Sequence, residues 1–378
     1  MIKIICLNTN IIICVAPFFN LVTYFGAREY NNLRQEIDYA GEKMTKDELK
    51  QWVTTLPKVE LHLHIEGSLE PDLMMALAEK HQVELPYASI EEIKTAYDFE
   101  DLQSFLNLYY FGASVLKDED DFYQLMWNYL LKCKEDNVVH VEIMFDPQTH
   151  TQRNIGFDVF MPGFKRAMQQ AEQEWGQSSL LIMSFLRHLT EQSAIETLEA
   201  SIPYLEDIIA VGLDSSELGN PPEKFNHVFK MAKELGLKRV AHAGEEGPAD
   251  YVWGALKGLD VHRIDHGVRS IEDPQLIAFL IQSQHPLTVC PLSNTKLKVF
   301  ENMQQHNVLE LLDLGLMVTI NADDPSYFGG YLNDNFFAII DHLPIEKHQI
   351  QQLVKNSFNA SFMQEEHKLK WVEKIACY

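Results

Sequence analysis

The amino-acid sequence predicts an α/β protein built as a (β/α)8 barrel of the TIM type, with a helical insertion after the first strand. From residue 59 onward, short apolar and β-branched runs alternate with longer polar stretches that favour helices. Parallel strands that are buried on both faces have such continuous apolar runs, and eight is the number of strands in this barrel. The runs lie at residues 59–65, 138–145, 180–186, 208–213, 239–243, 263–266, 287–290 and 317–321.

The competing architecture is a doubly wound open sheet, which has the same alternation of strands and helices. No internal repeat, low-complexity tract or linker divides the region, so we predict one domain over residues 44–378. The long segment between the first two strands contains apolar side chains at helical spacing. We expect its residues 85–135 to form helices over the barrel mouth. The alternative is that their aromatic side chains only pack against the barrel wall.

Composition and charge limit the partners of the chain. Its 378 residues, 46% of them hydrophobic, suffice for one barrel or two smaller domains. The 55 acidic and 31 basic residues give a formal charge of −24, which repels polyanions at long range, so we expect a small neutral substrate and no nucleic-acid partner. The five cysteines form no Cys-x-x-Cys pair, which favours a reducing, cytoplasmic compartment over a disulfide framework. The oligomeric state stays open.

The N-terminus differs from the rest of the chain. Residues 4–27 contain no charged side chain, a run long enough for a signal-anchor, but three asparagines and Pro17 interrupt it. A membrane anchor, a peripheral extension and a translation-start artefact are the three interpretations. The artefact is favoured because Met44 opens a stretch with a helix-capping pattern. We therefore expect residues 1–43 to be an extension outside the barrel, with no membrane partner unless the uncharged run is a real anchor.

A metal site is predicted at the ends of three strands. His62 and His64 are two residues apart on a strand, so both side chains point to the same face. An isolated His-x-His pair is more often two half-buried histidines than two ligands. Here His242 and Asp323 follow at the ends of the fifth and eighth strands, and imidazoles with a carboxylate suit zinc. These four residues therefore predict a site for one zinc ion.

Three further polar residues stand where that metal would be. Glu245 follows His242 by three residues in a glycine-containing turn and is placed to shuttle a proton; otherwise it is a solvated loop acid. His266 ends the sixth strand, where it either accepts a proton from the attacking water or holds that water in line; otherwise it is a core histidine. Asp324 points to another side than Asp323 and is placed to bind a substrate nitrogen; otherwise it is an ordinary loop carboxylate.

The motifs that carry these residues resemble the adenosine/adenine deaminase family. The resemblance covers roughly residues 50–365, with the motifs in the order that the family has. The matching stretches are LPKVELHLHIEGSLEP at 56–71, HAGE at 242–245, DHG at 265–267, CPLSN at 290–294 and NADDP at 321–325. It implies a (β/α)8 fold, one zinc ion per chain, and hydrolytic removal of the 6-amino group of an adenine ring.

The resemblance also implies a role for each site residue. The zinc ligands would be His62, His64, His242 and Asp323. Glu245 would protonate ring N1, His266 would orient the hydroxide, and Asp324 would be the partner of ring N7. Zinc lowers the pKa of water from about 15.7 toward roughly 7, which supplies hydroxide at neutral pH. Ser293 is expected either to fix a ligand or His266, or to serve only in a turn.

Two departures from the family pattern predict the substrate. Adenosine-specific members usually have Asp at the position of Glu66, where it contacts the ribose, and Gly at the position of Ser215. The longer and bulkier side chains here resemble the adenine branch, which accommodates no sugar. We therefore expect Glu66, Gly67 and Ser215 to contact the substrate and adenine to be converted to hypoxanthine and ammonia in purine salvage. Adenosine is the alternative substrate.

Two hypotheses of other classes remain at this stage. A binuclear-metal amidohydrolase shares the His-x-His pair but usually needs a modified lysine or a glutamate at the end of strand 4, where this chain has Asp214-Ser215-Ser216. A non-catalytic binding protein on the same fold is expected to have lost ligands or the acid. Here the four ligands, Glu245 and His266 are all present.

Overall fold

The computed structural model describes residues 44–378 and, in the extension, only the backbone strands Ile5–Leu7 and Asn10–Ile12. These two strands pair with each other in antiparallel fashion. The chain divides into two compact units, Met1–Asp47 and Glu48–Tyr378. The other expectations for residues 1–43, including the membrane anchor, lie outside the described residues. Within the described part, no helix has the length and apolar character to span a bilayer.

The larger unit contains eight parallel strands, and each strand pairs with its neighbours in chain order. This confirms the predicted (β/α)8 barrel. The strands are β1 (Lys58–His64), β2 (Val138–Phe145), β3 (Ser178–Leu186), β4 (Ile208–Asp214), β5 (Lys238–Ala243), β6 (Arg263–His266), β7 (Leu287–Val289) and β8 (Val318–Ile320). The last two are shorter than predicted: Cys290 already caps the following helix, and β8 ends at Ile320, although the backbone N–H of Asn321 still donates to Val289 O at 2.9 Å.

The barrel is closed by pairing between β1 and the segment that follows β8. Leu63 and Asp323 form a parallel bridge. The backbone N–H of His64 donates to Asp323 O at 3.0 Å, and the N–H of Asp323 donates to His62 O at 3.0 Å. The side chain of Asn321 accepts a further bond from the backbone of Leu61 at 3.1 Å. Closure of the barrel therefore brings three of the predicted metal ligands to one place.

Helices follow most of the strands, and four of them lie between β1 and β2. These are α2 (Pro71–His81), α3 (Ile90–Thr95), α4 (Leu102–Ala113) and α5 (Glu119–Glu135), preceded by α1 (Lys46–Thr55). The remaining α-helices are α6 (Pro147–Thr151), α7 (Phe157–Trp175), α8 (Glu191–Ser201), α9 (Asn226–Glu234), α10 (Ala249–Gly254), α11 (Pro274–Ser283), α12 (Pro291–Lys296), α13 (Val308–Asp313), α14 (Pro325–Phe328), α15 (Leu332–His342), α16 (Lys347–Ala360) and α17 (Glu365–Ile375).

The insertion helices are individually well specified. Asp101 caps α4 and Asp118 caps α5, each as part of a capping box that satisfies the free N–H groups of the first turn. The buried side chains of α4 include Leu102, Phe105 and Leu106, which also line the cavity at the barrel mouth. The expected helical cover after the first strand is therefore present.

The opposite end of the barrel is filled by side chains. Met144, Ile182, Ala210 and Val240 form one apolar layer from four consecutive strands. The buried guanidinium of Arg263 pairs with Glu142 and also donates to the backbone oxygens of Leu61 (3.2 Å) and Ala360 (3.3 Å). Only the carboxyl ends of the strands are thereby left for a site, as in other barrels of this type.

Candidate active site

The carboxyl ends of three strands carry residues with left-handed backbone. Ser215 follows β4 with a φ of 72°, His266 ends β6 with a φ of 63°, and Asp323 follows β8 with a φ of 64°. This conformation costs about 1–3 kcal/mol at a residue other than glycine and occurs where the surrounding structure aims a side chain. All three side chains line one cavity at the barrel mouth.

The four predicted ligands meet at this cavity. One atom from each of His62, His64, His242 and Asp323 lies within 4.8 Å of the others. Asp323 Oδ1 is 3.3 Å from His62 Nε2 and 3.6 Å from His64 Nε2. His64 Nε2 is 3.2 Å from His242 Nε2. All four side chains are buried.

Two of the rings are held by their outer nitrogens. His242 Nδ1 donates to the backbone oxygen of Leu213 at 3.1 Å. His62 Nδ1 lies 3.0 Å from Thr288 Oγ1, and that hydroxyl donates to Asp265 at 2.9 Å, so it accepts from the ring. The Nε2 atoms of both rings therefore carry lone pairs, and His62 Nε2 has no hydrogen-bond partner in the described chain. Converging imidazole lone pairs beside a carboxylate fit a divalent metal ion.

Two other groups of side chains overlap this cluster. One combines His62, His266, Cys290 and Asp323, and the other combines His64, Asp146 and Asp214. Burial raises the pKa of the Cys290 thiol well above its ordinary value, and metals bind the thiolate rather than the thiol. The second group offers a single imidazole. The set with three imidazoles and one carboxylate is therefore the best metal site of the described chain.

The loop after β5 is held by the side chain of Glu217. Its carboxylate accepts the backbone N–H groups of Gly244 (2.7 Å), Glu245 (3.1 Å), Glu246 (2.9 Å) and Gly247 (2.7 Å). A Cβ atom at Gly247 would lie 2.5 Å from the Glu217 carboxylate, so a side chain there would displace it. The position of Glu245 therefore depends on a residue from the loop after β4.

Glu245 is a buried carboxyl among other polar groups. Its Oε2 lies 3.5 Å from His266 Nε2, and its Oε1 accepts from Asn294 Nδ2 at 3.4 Å. Burial raises the pKa of Glu245 well above its usual range, and the charges of Asp323 and Glu217 raise it further. A raised pKa favours the protonated form of Glu245, which is the form that a general acid requires.

A chain of hydrogen bonds determines which nitrogen of His266 carries the proton. The backbone N–H of Val308 donates to His306 Nδ1 at 3.1 Å, so His306 Nε2 donates to Asn294 Oδ1 at 3.3 Å. The amide of Asn294 then donates to His266 Nδ1 at 3.2 Å. Burial lowers the pKa of His266 to about 3, so the ring is neutral. Its single proton is therefore on Nε2, which faces the metal cluster.

The residue next to Ser293 makes the contact that was expected of Ser293. Ser293 Oγ is buried and has no hydrogen-bond partner in the described chain, whereas Asn294 binds both His266 and Glu245. Both residues belong to α12, where one step along the chain turns the side chain by about 100°. A motif that contains both residues does not tell which one faces the site.

Asp324 and Gly67 form one side of the site. A Cβ atom at Gly67 would lie 1.9 Å from Asp324 Oδ1, so only glycine lets this carboxyl lie there. Asp324 Oδ1 is buried without a hydrogen-bond partner in the described chain, and the residue lines the cavity. Burial, and then the neighbouring charge of Asp323, raise the pKa of Asp324 well above its usual range. Its carboxyl can therefore donate to a ring nitrogen.

Glu66, like Gly67, is a predicted substrate contact that is not among the residues lining the cavity. Its Oε1 lies 2.7 Å from His150 Nε2, and it accepts the backbone N–H of Asp146 at 3.3 Å. The hydroxyl of Tyr109 donates to its other oxygen at 3.4 Å. Glu66 is not among the lining residues, whereas Tyr109 and Asp146 are. The extra methylene therefore directs the carboxyl toward His150, behind the cavity wall.

Ser215 does lie at the cavity, as expected. Its hydroxyl accepts from Tyr110 at 2.9 Å and lies 2.8 Å from His188 Nδ1. The cavity and its mouth contain about 390 Å³ of space between atoms, part of which is open to solvent. Its apolar lining is Leu102, Phe105, Leu106, Leu297 and Phe328. An apolar slot with polar groups at its edges suits a planar heteroaromatic molecule.

Several residues that shape the site were missed by sequence reasoning. Arg187 is fully buried and donates to the backbone oxygen of His242 at 2.7 Å, which fixes that ligand. Asp146 and Asp214 line the cavity, and both stand at strand ends, the same signal that identified His242 and Asp323. A polar residue at the end of a buried strand therefore marks site residues on β2 and β4 as well.

Barrels that hold three histidines and a carboxylate at the carboxyl ends of their strands are typical of metal-dependent hydrolases, and this chain has that fold and that site. The sequence profile of the adenosine deaminase family matches residues 57–378. The chain therefore belongs to the adenosine deaminase family, whose members act on C–N bonds.

Relatives within the family are similar over most of their length. The adenine deaminase of Acinetobacter baylyi is 57% identical over 323 residues, which are 85% of this chain and 97% of the relative. The adenine deaminase of Hahella chejuensis is 55% identical over 330 residues, 87% and 99% of the two chains. The crystal structure of an adenine deaminase from Arthrobacter aurescens is 45% identical, with a TM-score of 0.84 over 85% of this chain and 98% of that one.

Removal of one imidazole should empty the metal site. Loss of a residue that hydrogen-bonds to a metal ligand lowers metal affinity by ~10- to 100-fold. We expect His242→Ala to lower it by more than this, because the ligand itself is removed. Elemental analysis after dialysis against a buffered metal concentration measures it. Cys290→Ala is the matched control and should retain the metal, since Cys290 belongs only to the alternative group. Loss of metal in Cys290→Ala with retention in His242→Ala would overturn the assignment.

Proposed function

We propose that this protein is a zinc-dependent adenine deaminase, which converts adenine and water to hypoxanthine and ammonia in purine salvage. The observation that carries the proposal is the cavity beside the metal cluster, which is lined by two buried carboxyls, Glu245 and Asp324, with pKa values raised well above the usual range. The similarity to relatives named adenine deaminase supports it. The formal charge of −24 agrees with a neutral base as substrate and with no nucleic-acid partner.

The proposed cofactor is one zinc ion per chain, bound by His62, His64, His242 and Asp323. Zinc is favoured because three imidazoles and a carboxylate are ligands of borderline softness that leave a position for water. When bound, the zinc ion supplies a water of lowered pKa at neutral pH. A lysine or glutamate that would bridge a second metal is not found at the end of β4, where Asp214 stands.

In the proposed binding mode, the adenine ring lies in the apolar slot with C6 toward the metal cluster. Glu245 then faces ring N1, and Asp324 faces ring N7. N1 and N7 of adenine carry lone pairs, and the raised pKa values of Glu245 and Asp324 favour the protonated carboxyls that can donate to them. The hydrogen-bonding pattern therefore agrees with an adenine ring that enters edge first.

The reaction adds water across the C6–N1 bond of the ring. The oxygen of water bonds to C6 while Glu245 passes its proton to N1, so that no negative charge accumulates on N1. Water gives up both of its protons: one returns to the Glu245 carboxylate, and the other goes to the departing amino group as cleavage of the C6–N6 bond releases ammonia. His266 contributes as a donor: its Nε2–H holds the attacking oxygen in line. The other expected role, that of a base, is disfavoured because Asn294 leaves the proton on Nε2.

The direct test of the proposed function compares adenine, adenosine and AMP as substrates of the purified protein. We expect kcat/KM for adenine to exceed that for adenosine by at least ~10²-fold, because a site without room for ribose discriminates against it. The change in ultraviolet absorbance and the release of ammonia measure the rate. A preference for adenosine would contradict the substrate, and inactivity toward all three with zinc bound would contradict the function.

Replacement of the proposed acid should stop proton transfer without emptying the site. Glu245→Gln preserves the size and the hydrogen bond to Asn294 but removes the transferable proton. We expect kcat to fall by ~10²–10⁴-fold, the usual contribution of a general acid, with zinc content unchanged. Full activity in this variant would show that N1 receives its proton elsewhere.

A change at Asn294 should act on His266 through its tautomer. In Asn294→Asp the carboxylate accepts from His266 Nδ1–H, which moves the proton away from Nε2. We expect kcat to fall by ~10²–10⁴-fold with zinc retained, as in other enzymes where the histidine tautomer is reversed. Ser293→Ala is the control, for which we expect a change below ~3-fold. Equal effects of the two substitutions would indicate a packing role for this helix.

We further propose that residues 44–378 form the complete catalytic domain and that it works in the cytoplasm. All proposed site residues lie between His62 and Asp324, and the three cysteines of the described residues are free thiols, in agreement with a reducing compartment. A chain that begins at Met44 should therefore bind zinc and deaminate adenine as the full chain does. Loss of either property would show that the extension contributes to the barrel.

A further inference from the structure

We infer that Asp146 and Asp214 determine specificity by accepting a hydrogen bond from ring N9–H of the substrate. A free purine base has this group, and a nucleoside has a glycosidic bond in its place. The inference rests on the proposed function and extends it to the edge of the ring that faces away from the metal. It concerns two residues that the proposed reaction does not use.

The two carboxyls lie together in the cavity wall. Asp146 follows β2 and Asp214 ends β4, and both line the cavity. One oxygen of each lies within 4.8 Å of the other and of a ring nitrogen of His64. Only 2% of Asp146 and 3% of Asp214 is exposed to solvent. Two acids have thus been buried where a ligand, and not bulk water, would meet them.

Three of their four oxygens make no hydrogen bond among the described residues, and the nearest ring nitrogen, His64 Nδ1, lies 3.5 Å from Asp214 Oδ2. Asp146 Oδ2 accepts from the hydroxyl of Tyr109 at 3.0 Å. Asp146 Oδ1 and both oxygens of Asp214 have no hydrogen-bond partner in the described chain. No lysine or arginine of the described chain lines the cavity. A buried acceptor without a donor is costly, so a ligand that brings an N–H group to this wall is strongly favoured.

The free base supplies such a donor on the appropriate edge. Once C6 faces the metal cluster and N1 and N7 face Glu245 and Asp324, N3 and N9 form the remaining polar edge of adenine. N9 carries a hydrogen in the free base. In a nucleoside that hydrogen is absent, so the acceptors of Asp146 and Asp214 stay unpaired. A site built around a substrate N–H rejects an analogue without it far more strongly than an apolar pocket rejects extra bulk.

Two other roles of the pair are possible outcomes of the test. Asp214 Oδ2 lies 3.5 Å from His64 Nδ1, so the carboxyl could act only by orienting a metal ligand. The two carboxyls with His64 could instead hold a second cation. Both roles predict equal effects on substrates with and without N9–H, and the second predicts two metals per chain.

The test compares adenine with 9-methyladenine in the full-length protein loaded with zinc. Asp214→Leu keeps the volume but removes the acceptors, and Asp214→Asn keeps an acceptor. We expect Asp214→Leu to lower kcat/KM for adenine by ~10- to 100-fold and Asp214→Asn to restore most of it. For 9-methyladenine we expect changes within ~3-fold. Asp146→Leu and Asp146→Asn repeat the comparison should a variant at Asp214 fail to fold.

Asp265→Asn is the matched control. Asp265 is also a buried carboxyl beside two ligands, 3.9 Å from His62 Nδ1 and 3.7 Å from His242 Nδ1, but it does not line the cavity. We expect Asp265→Asn to lower kcat/KM for adenine and for 9-methyladenine by the same factor, as a positioning residue would. The same equal loss in Asp214→Leu, or a second metal that disappears with it, would overturn the inference.

Equilibrium binding of the product separates this inference from the proposed function. We expect the wild-type protein to bind hypoxanthine more tightly than 9-methylhypoxanthine and Asp214→Leu to bind both alike, as measured by calorimetry. This comparison needs no turnover. If the protein shows this binding pattern but does not deaminate adenine, the proposed reaction is wrong and the inference stands. If the wild-type protein deaminates 9-methyladenine rapidly, the inference is wrong and the proposed reaction stands.

Discussion

The backbone pairing of Leu63 with Asp323 is the constraint on which the site depends. It joins the first strand to the segment after the last one through two hydrogen bonds of 3.0 Å. The same bonds involve the backbones of His62, His64 and Asp323, so closing the barrel also assembles three of the four proposed ligands. A metal that binds this set binds only the closed barrel and therefore stabilises it. Formation of the fold and formation of the cofactor site are therefore coupled.

The same crowding raises the pKa values of several carboxyls at the site. Glu245, Asp324, Asp146 and Asp214 are buried around one small cavity, and burial raises the pKa of each above its ordinary value. Asp323 is the exception, because the charges of the surrounding histidines hold its pKa well below the usual range despite burial. A carboxylate whose pKa is held down, surrounded by acids whose pKa values are raised, is a suitable environment for a dication and an uncharged base.

The fold and the ligand set could be predicted because both depend on local patterns. Continuous apolar runs marked all eight strands, and the polar residue that ends a strand marked His242, His266 and Asp323. The remaining parts of the site depend on contacts between distant loops. Nothing in the sequence near Glu245 shows that Glu217, 28 residues earlier, holds its backbone. The His306–Asn294–His266 chain likewise joins two loops.

The prediction for Glu66 shows why bulk is a poor guide to specificity. The extra methylene of Glu66 suggested a side chain that fills the space of a sugar. The Glu66 carboxyl instead lies 2.7 Å from His150 Nε2. The hydroxyl of Ser215 likewise accepts from Tyr110 at 2.9 Å. Both residues therefore help to build the wall, and their polar groups are already paired. The unpaired groups in that wall belong to Asp146 and Asp214. Bulk can be relieved by a small movement of a neighbour, whereas a buried acceptor without a donor cannot be relieved within the protein. In our proposal, discrimination against a nucleoside therefore involves the hydrogen that it lacks at N9 as well as the sugar that it carries.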